Sequence, residues 1–426
     1  MLIVAAAFVV LMLMGMPLAF AIGISGTLFF VQHPELPFTI PVQVTVSQTQ
    51  NFALLAIPLF ILAGNLMNRA GITERLLDLA SALTGHLRGG LAQISLALSA
   101  LMGSVSGSAI ADAAMQSRLL GDGMIRRGFT RGFAAGVISF GSVLTPLVPP
   151  GIGMILYGTI GQVSIGRLFA AGLTTALLLW FALGVVAALT ARHRAYPTER
   201  PARAPLREVG HAARSGVWAL LFPVFLIVGL RAGLFTPSEI GAVAVLYAVF
   251  VGVLIHRKMK LRGFVEGLES SLSDIGAVMF LIALSAIFSY GIVLDRVPEV
   301  VANALLGATE NLTLVMILIA LAVVVVGFFV DATVLIIMLT PIVLPVIQEL
   351  GGDEVHFGMV FIVAATIGNF TPPVGAAMYA VCSILRCPMG EYWSESVPLF
   401  LAVTGVAALI ALVPGVVLFL PNLIFG

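Results

Sequence analysis

The chain has 426 residues, 60% of them hydrophobic and only 10% charged, with a mean hydropathy of +1.12. A soluble globular protein is thereby excluded, and long runs of Leu, Val and Ala without alternation exclude an outer-membrane barrel. The formal net charge of +1 says nothing about partners, but the cations fall in a few segments that report sidedness. The only lysines, Lys258 and Lys260, lie outside any GxxxxGK[ST] pattern, which leaves no P-loop for ATP and no nucleic-acid-binding stripe. The two cysteines, Cys382 and Cys387, are too few for a metal site and read as apolar filler.

Residues 1–31 are apolar well past the length of a signal-peptide core and lack a basic leader. They predict a membrane helix with a break near Gly15 and Pro17. Residues 32–50 are polar and proline-containing, a loop or interfacial segment, and 52–67 predict a membrane helix. Residues 72–83 put Leu76, Leu79, Ala80 and Leu83 on one face, away from Glu74, Arg75 and Asp78, as an amphipathic arm at the interface would.

The stretch 101–111, LMGSVSGSAIA, is flanked by apolar runs of about a dozen residues, whereas a full crossing needs about 20. The expectation is a re-entrant hairpin turning at 103–108. Its freed backbone groups must sit inside protein or line a wet cavity, since lipid cannot satisfy them. Arg126, Arg127 and Arg131 follow, then a long helix interrupted at 145–151 (TPLVPPG) and a span over 168–188.

Arg192, Arg194, Arg200, Arg203, Arg207 and Arg214, mixed with Pro197, Pro201 and Pro205, predict a cytoplasmic linker. Counting crossings back from it brings the first hairpin in from the cytoplasm. The isolated acid Asp112 needs a partner or water, and Arg118, six residues on, is a candidate structural partner.

Spans near 217–229 and 237–255 follow, with a second cationic cluster at 257–262. From there the pattern repeats. An amphipathic stretch (261–273) precedes a span, and 297–306 form another polar-faced helix. Residues 312–326 run to a turn, 327–333 (GFFVDAT), and 334–346 run back. Residues 360–383 are interrupted at 368–375 (GNFTPPVG). The turns are 224 residues apart and the two Thr-Pro breaks, at Thr145 and Thr371, 226 apart. Crossing count puts the second hairpin's ends outside, near Glu349, Asp353 and Glu354.

The expected fold is an all-α polytopic membrane protein of inverted repeats, with two re-entrant hairpins and two broken helices, as in secondary transporters. The first repeat with the N-terminal helix is 1–191 (hairpin about 89–120, broken helix about 131–160). The linker is 192–214. The second repeat with the C-terminal helix is 215–426 (hairpin about 312–347, broken helix about 358–385).

Where a turn meets a break, carbonyls and hydroxyls form an oxygen cage of the kind hard cations such as Na⁺ prefer. One cage is expected from Ser104, Ser106 and Thr145, a second from Gly327, Gly368, Asn369 and Thr371. The half-helices after Ser108 and Thr333 point their N-termini at the space between, which favours an anion. Substrate contacts are expected from Ser106, Gly107, Ser108, Asp331, Thr333, Pro372 and Pro373. Asp331 also suits the N-cap of the returning half-helix. No cofactor is expected beyond Na⁺ as the coupling ion.

The blocks FALLAIPLFILAGNLMNRAGITERLLDLA, GSVSGSA, TPLVPPG, GLFTPSEIGAVAVLYA, GFFVDAT and GNFTPPVG together resemble the large membrane subunit of tripartite ATP-independent periplasmic (TRAP) transporters, from the first helix to the last. The resemblance implies Na⁺-coupled uptake of organic acids, commonly carboxylates, across a bacterial or archaeal cytoplasmic membrane by an elevator-type movement. It implies two partners, a small four-helix membrane subunit and a periplasmic substrate-binding protein. Its sodium sites match Ser104, Ser106, Thr145, Gly327, Gly368 and Thr371. Val105 stands where many members carry a longer serine run, and Asn369 where an apolar residue is usual.

Other readings remain beside it. A stand-alone sodium/carboxylate symporter would need no binding protein. A channel would have to work without a charged ring. An intramembrane enzyme would need Asp112 and Asp331 as an aspartyl dyad, since the histidines fall in loops or interfaces and no HExxH occurs.

Overall fold

The computed structural model describes residues 1–309 and 311–426. Among them the fold is all-helical, with seven helices long and apolar enough to cross a membrane. The pair Arg131–Leu147 and Ile152–Ile160, bent by 45° at the break, is long and apolar enough together to make an eighth. Side chains such as Leu177, Phe181 and Leu246 stay 64–70% exposed on the outer faces, as a helix bathed in lipid requires. Every residue from 355 to 369 is buried, and this segment forms the centre of the packed core.

The two expected hairpins are present. Gly90–Met102 and Ala109–Gln116 flank the first turn, and Leu312–Gly327 and Ala332–Glu349 flank the second. Both broken helices are present as well. Arg131–Gly141 passes through a tight turn into Ile152–Ile160, and Glu354–Asn369 stops before Ala376–Leu385. The ends are fixed locally: Asp353 accepts from the N–H groups of Val355 and His356 at 2.8 and 2.9 Å, and Thr236 and Glu239 form a reciprocal capping box.

Three expectations change. The N-terminal segment reverses direction instead of kinking. Leu2–Leu13 and Leu18–Gln32 form a hairpin, because Gly15 adopts φ +81° and Pro17 cannot donate the bond that would continue the helix. Both ends of the hairpin meet Asp295, through the Met1 amine at 2.8 Å and the His33 ring at 3.8 Å. Residues 32–50 contain a helix, Ile40–Thr49, that packs along the Leu261–Leu294 helix. Finally, the second amphipathic stretch and its span are one continuous helix, Leu261–Leu294, 34 residues long.

The arm in the first half is separate, Ile72–Thr84, and is set off by Gly71 at φ +74°. Lys258 reaches across to it from the second half, and its hydrogen bond holds the Glu74 carboxyl below its usual range.

The segment between the helices Ile165–His193 and Leu206–Arg231 is strapped beneath the first hairpin. The N–H groups of Glu199 and Arg200 donate to the Gly85 carbonyl at 2.9 and 3.0 Å, and Gly90 N–H donates to Pro197 at 3.2 Å. Arg127 pairs with Glu199 at 2.6 Å, and Tyr196 stacks on Phe129 with ring centres 4.3 Å apart.

Candidate functional site

Each hairpin turn lands on the break of its own half. A Cβ on Gly103 would come within 2.8 Å of the Thr145 carbonyl oxygen, and one on Gly107 within 2.6 Å of that of Pro150. In the second half, a Cβ on Gly368 would lie 2.5 Å from the Gly327 backbone, and Gly375 N–H donates to the Phe328 carbonyl at 2.8 Å. Glycine is required at these junctions because main chain touches main chain.

The corresponding positions differ from the Thr-Pro match. Ser108 and Asp331, both N-caps, are 223 residues apart, as are Pro149 and Pro372 of the two Pro-Pro pairs. In that register Thr145 corresponds to Gly368, not Thr371.

The two returning half-helices aim their starts at one another. The Ser108 hydroxyl accepts from Ala111 N–H at 3.4 Å, and Asp331 accepts from Thr333 N–H at 2.8 Å. Between them lies a cavity of about 150 Å³, lined by Gly107, Ser108, Asp331, Thr333 and Asn369. Two helix N-termini facing one small space bias it toward negative charge. A larger cleft of about 330 Å³ shares Ser108, Ile152 and Thr333 with that cavity. It extends past Ser106 to Asn65, Asn68 and Asp274.

The expected site residues divide. Ser106 Oγ and Ser108 approach at 3.3 Å, and both line the cleft. Ser104 donates to the Leu101 carbonyl of its own turn at 2.7 Å and lines neither space. Thr371 likewise donates to Ile367, at 2.8 Å. Asn369 donates to Asp331 at 3.1 Å and keeps a buried oxygen without a partner. Pro372 and Pro373 also line neither space.

Asp112 does more than the sequence suggested. One carboxylate oxygen accepts from Ser99 at 2.8 Å and from Gln116, Ser142 and Thr145 at 2.9 Å each. The other oxygen is buried without a partner. Arg118, the candidate partner, is exposed and does not pair with it, since six residues of helix turn it onto another face. The available sequence signal was a lone acid in an uncharged run, four residues before Gln116. Asp112 and Asp331 keep separate partner sets, so no dyad forms.

The first hairpin also touches the opposing Ala56–Arg69 helix, where a Cβ on Gly64 would collide with the Val105 carbonyl oxygen. Gly64→Ala is expected to push the tip away and disfavour this arrangement. A cysteine at Asn68, probed by thiol labelling, should change its reactivity; unchanged labelling would show that the contact has no bearing on the cleft.

The family model for the DctM component of tripartite ATP-independent periplasmic transporters matches residues 5–416. The chain is 33% identical over 416 residues to SiaM, the sialic acid TRAP transporter large permease protein of Vibrio cholerae, covering 98% of this chain and 97% of that one. It is 32% identical to the 2,3-diketo-L-gulonate large permease protein YiaN of Escherichia coli, covering 95% of each. It is 31% identical to the C4-dicarboxylate large permease protein DctM of Pseudomonas aeruginosa, covering 94% of each. Among solved structures, the YdaH transporter of Alcanivorax borkumensis has the same fold, with a TM-score of 0.64 at 14% identity over 87% of each chain. These relatives are transporters, which removes the enzyme reading. A match over nearly the whole chain, together with paired hairpin tips and broken helices, places this protein in the DctM component family of tripartite ATP-independent periplasmic transporters.

Proposed function

We propose that the chain is the large membrane subunit of a Na⁺-coupled uptake system for a small organic acid. A periplasmic binding protein delivers the acid, and a small four-helix membrane subunit completes the permease in the cytoplasmic membrane. The observation that carries this is the cavity between the N-termini at Ser108 and Asp331, beside two junctions rich in main-chain oxygens. An acid's carboxylate suits the half-helix starts, with Ser106, Gly107, Ser108 and Thr333 as its contacts. Na⁺ suits the junctions, one at Gly103–Thr145 and one at Gly327–Gly368 with Asn369. The Asp112 carboxyl, tied to Thr145 at 2.9 Å, stands behind the first. The acids named for the three relatives above are all carboxylates.

Coupling follows from charge. The lining side chains of both spaces include no Lys, Arg or His, so an anion there depends on helix starts and co-bound cations. The hairpins and broken helices carry the cargo as one body past the Ala56–Arg69 and Leu261–Leu294 helices, in an elevator-type movement.

In proteoliposomes containing the partner subunits, replacing Na⁺ by K⁺ is expected to reduce uptake to background. Uptake indifferent to the exchange would overturn the coupling. Omitting the binding protein should also abolish uptake, whereas persistence would favour a stand-alone symporter.

A further inference from the structure

We infer that Asp274, on the wall of the cleft facing the first hairpin, makes this a carrier of monocarboxylates with hydroxylated or ammonium-bearing tails and disfavours dicarboxylates. The inference rests on the proposed transport function and deepens it to a substrate class.

Asp274, Ala277 and Val278 form one face of the Leu261–Leu294 helix, at the i, i+3, i+4 spacing, and all three line the cleft. Opposite them, Ile61, Gly64, Asn65 and Asn68 form one face of the Ala56–Arg69 helix. The Asn65 amide donates to Asp274 at 3.2 Å and to Ser271 at 3.1 Å. Gly64, the neighbour of Asn65, is where the Val105 carbonyl touches this wall. Asp274 is therefore tied to the residue next to the hairpin contact, and lines the same cleft as Ser106, Ser108 and Thr333.

Asp274 has no ion-pair partner among the described residues, and nothing cationic lines the space. An ionisable side chain kept on a transport path is there for what passes it. A cargo whose carboxylate sits at the Ser108 and Thr333 helix starts extends its other end toward Asp274, Asn65 and Asn68. Hydroxyl or ammonium groups there donate to the carboxylate and to the amide oxygens. Asp274 is exposed to the cleft, and a second carboxylate would meet it there as a like charge, which costs binding.

The test compares acids on the full chain in nanodiscs, by thermal stabilisation in Na⁺ and in K⁺. Gluconate and N-acetylneuraminate represent the first class, succinate and malate the second. In Na⁺, the dicarboxylates are expected to need roughly tenfold higher concentration for equal stabilisation. Asp274→Asn should narrow that ratio to about twofold, and Asp274→Glu, which restores the charge, should keep it wide. Equal potency of the two classes in the unaltered chain would overturn the inference, as would a ratio that Asp274→Asn leaves unchanged. If no acid stabilised the chain better in Na⁺ than in K⁺, the proposed function would fall and this inference with it.

Discussion

Replacing Gly368 with alanine is expected to weaken Na⁺-driven uptake sharply, through a higher Na⁺ requirement, while leaving the protein in the membrane. The added carbon would lie 2.5 Å from the Gly327 backbone, and no side chain there can swing aside. The two segments must separate, at a cost of about 1–3 kcal/mol for an overpacked contact. That is roughly a 5- to 150-fold loss of apparent Na⁺ affinity if the junction holds the ion. Measuring uptake against Na⁺ concentration separates the cases. A shifted Na⁺ dependence supports the junction as a cation site, and an unshifted dependence with normal rate would remove it.

The second large effect is expected at Asp112. Asp112→Ala removes the acceptor shared by Ser99, Gln116, Ser142 and Thr145, which belong to three segments. Ser142 keeps the Ile138 carbonyl and Gln116 keeps Ser99, while Ser99 loses its acceptor and Thr145 is left with a long contact to the Ser99 carbonyl at 3.4 Å. Each unsatisfied buried donor costs about 1–3 kcal/mol, with partial relief from water entering the space. A marked fall in the thermal midpoint of the purified protein is the expected result. Asp112→Asn keeps the shape and one acceptor oxygen, so it should fold nearly as well but transport poorly. Normal uptake by the Asn variant would show that Asp112 acts as a hydrogen-bond hub without any need for its charge.

What could be read without coordinates was set by length. Apolar runs of about a dozen residues around GSVSGS are too short to cross, the repeat of that pattern marks a second turn at GFFVDAT, and Thr-Pro sequences interrupt the helices that follow. These local facts located both hairpins and both breaks. The start after Ser108 followed from the same logic, whereas the second half-helix begins at Ala332, two residues before the expected start after Thr333, because Asp331 caps it.

The features that stayed hidden depend on register or on distant partners. Asp112 draws its donors from residues 99, 116, 142 and 145, and no pattern along one helix brings them together. Thr145 and Thr371 look equivalent as letters, but the Pro-Pro pairs, not the Thr-Pro pairs, occupy matching places. The reversal at Gly15 could not be told from a kink, since Gly and Pro serve either purpose. Asn65 and Asp274 lie 209 residues apart, and only packing of the two helices makes them neighbours.

The Leu261–Leu294 helix runs 34 residues without interruption, about 51 Å at 1.5 Å per residue, well beyond the ~30 Å apolar depth of a bilayer. Its counterpart in the first half is jointed at Gly71. A structure with one stiff mast and one hinged boom cannot swing evenly. If the cargo-bearing body travels past this frame as proposed, the movement is taken up at the Gly71 joint, while the mast, and Asp274 with it, stays where it stands.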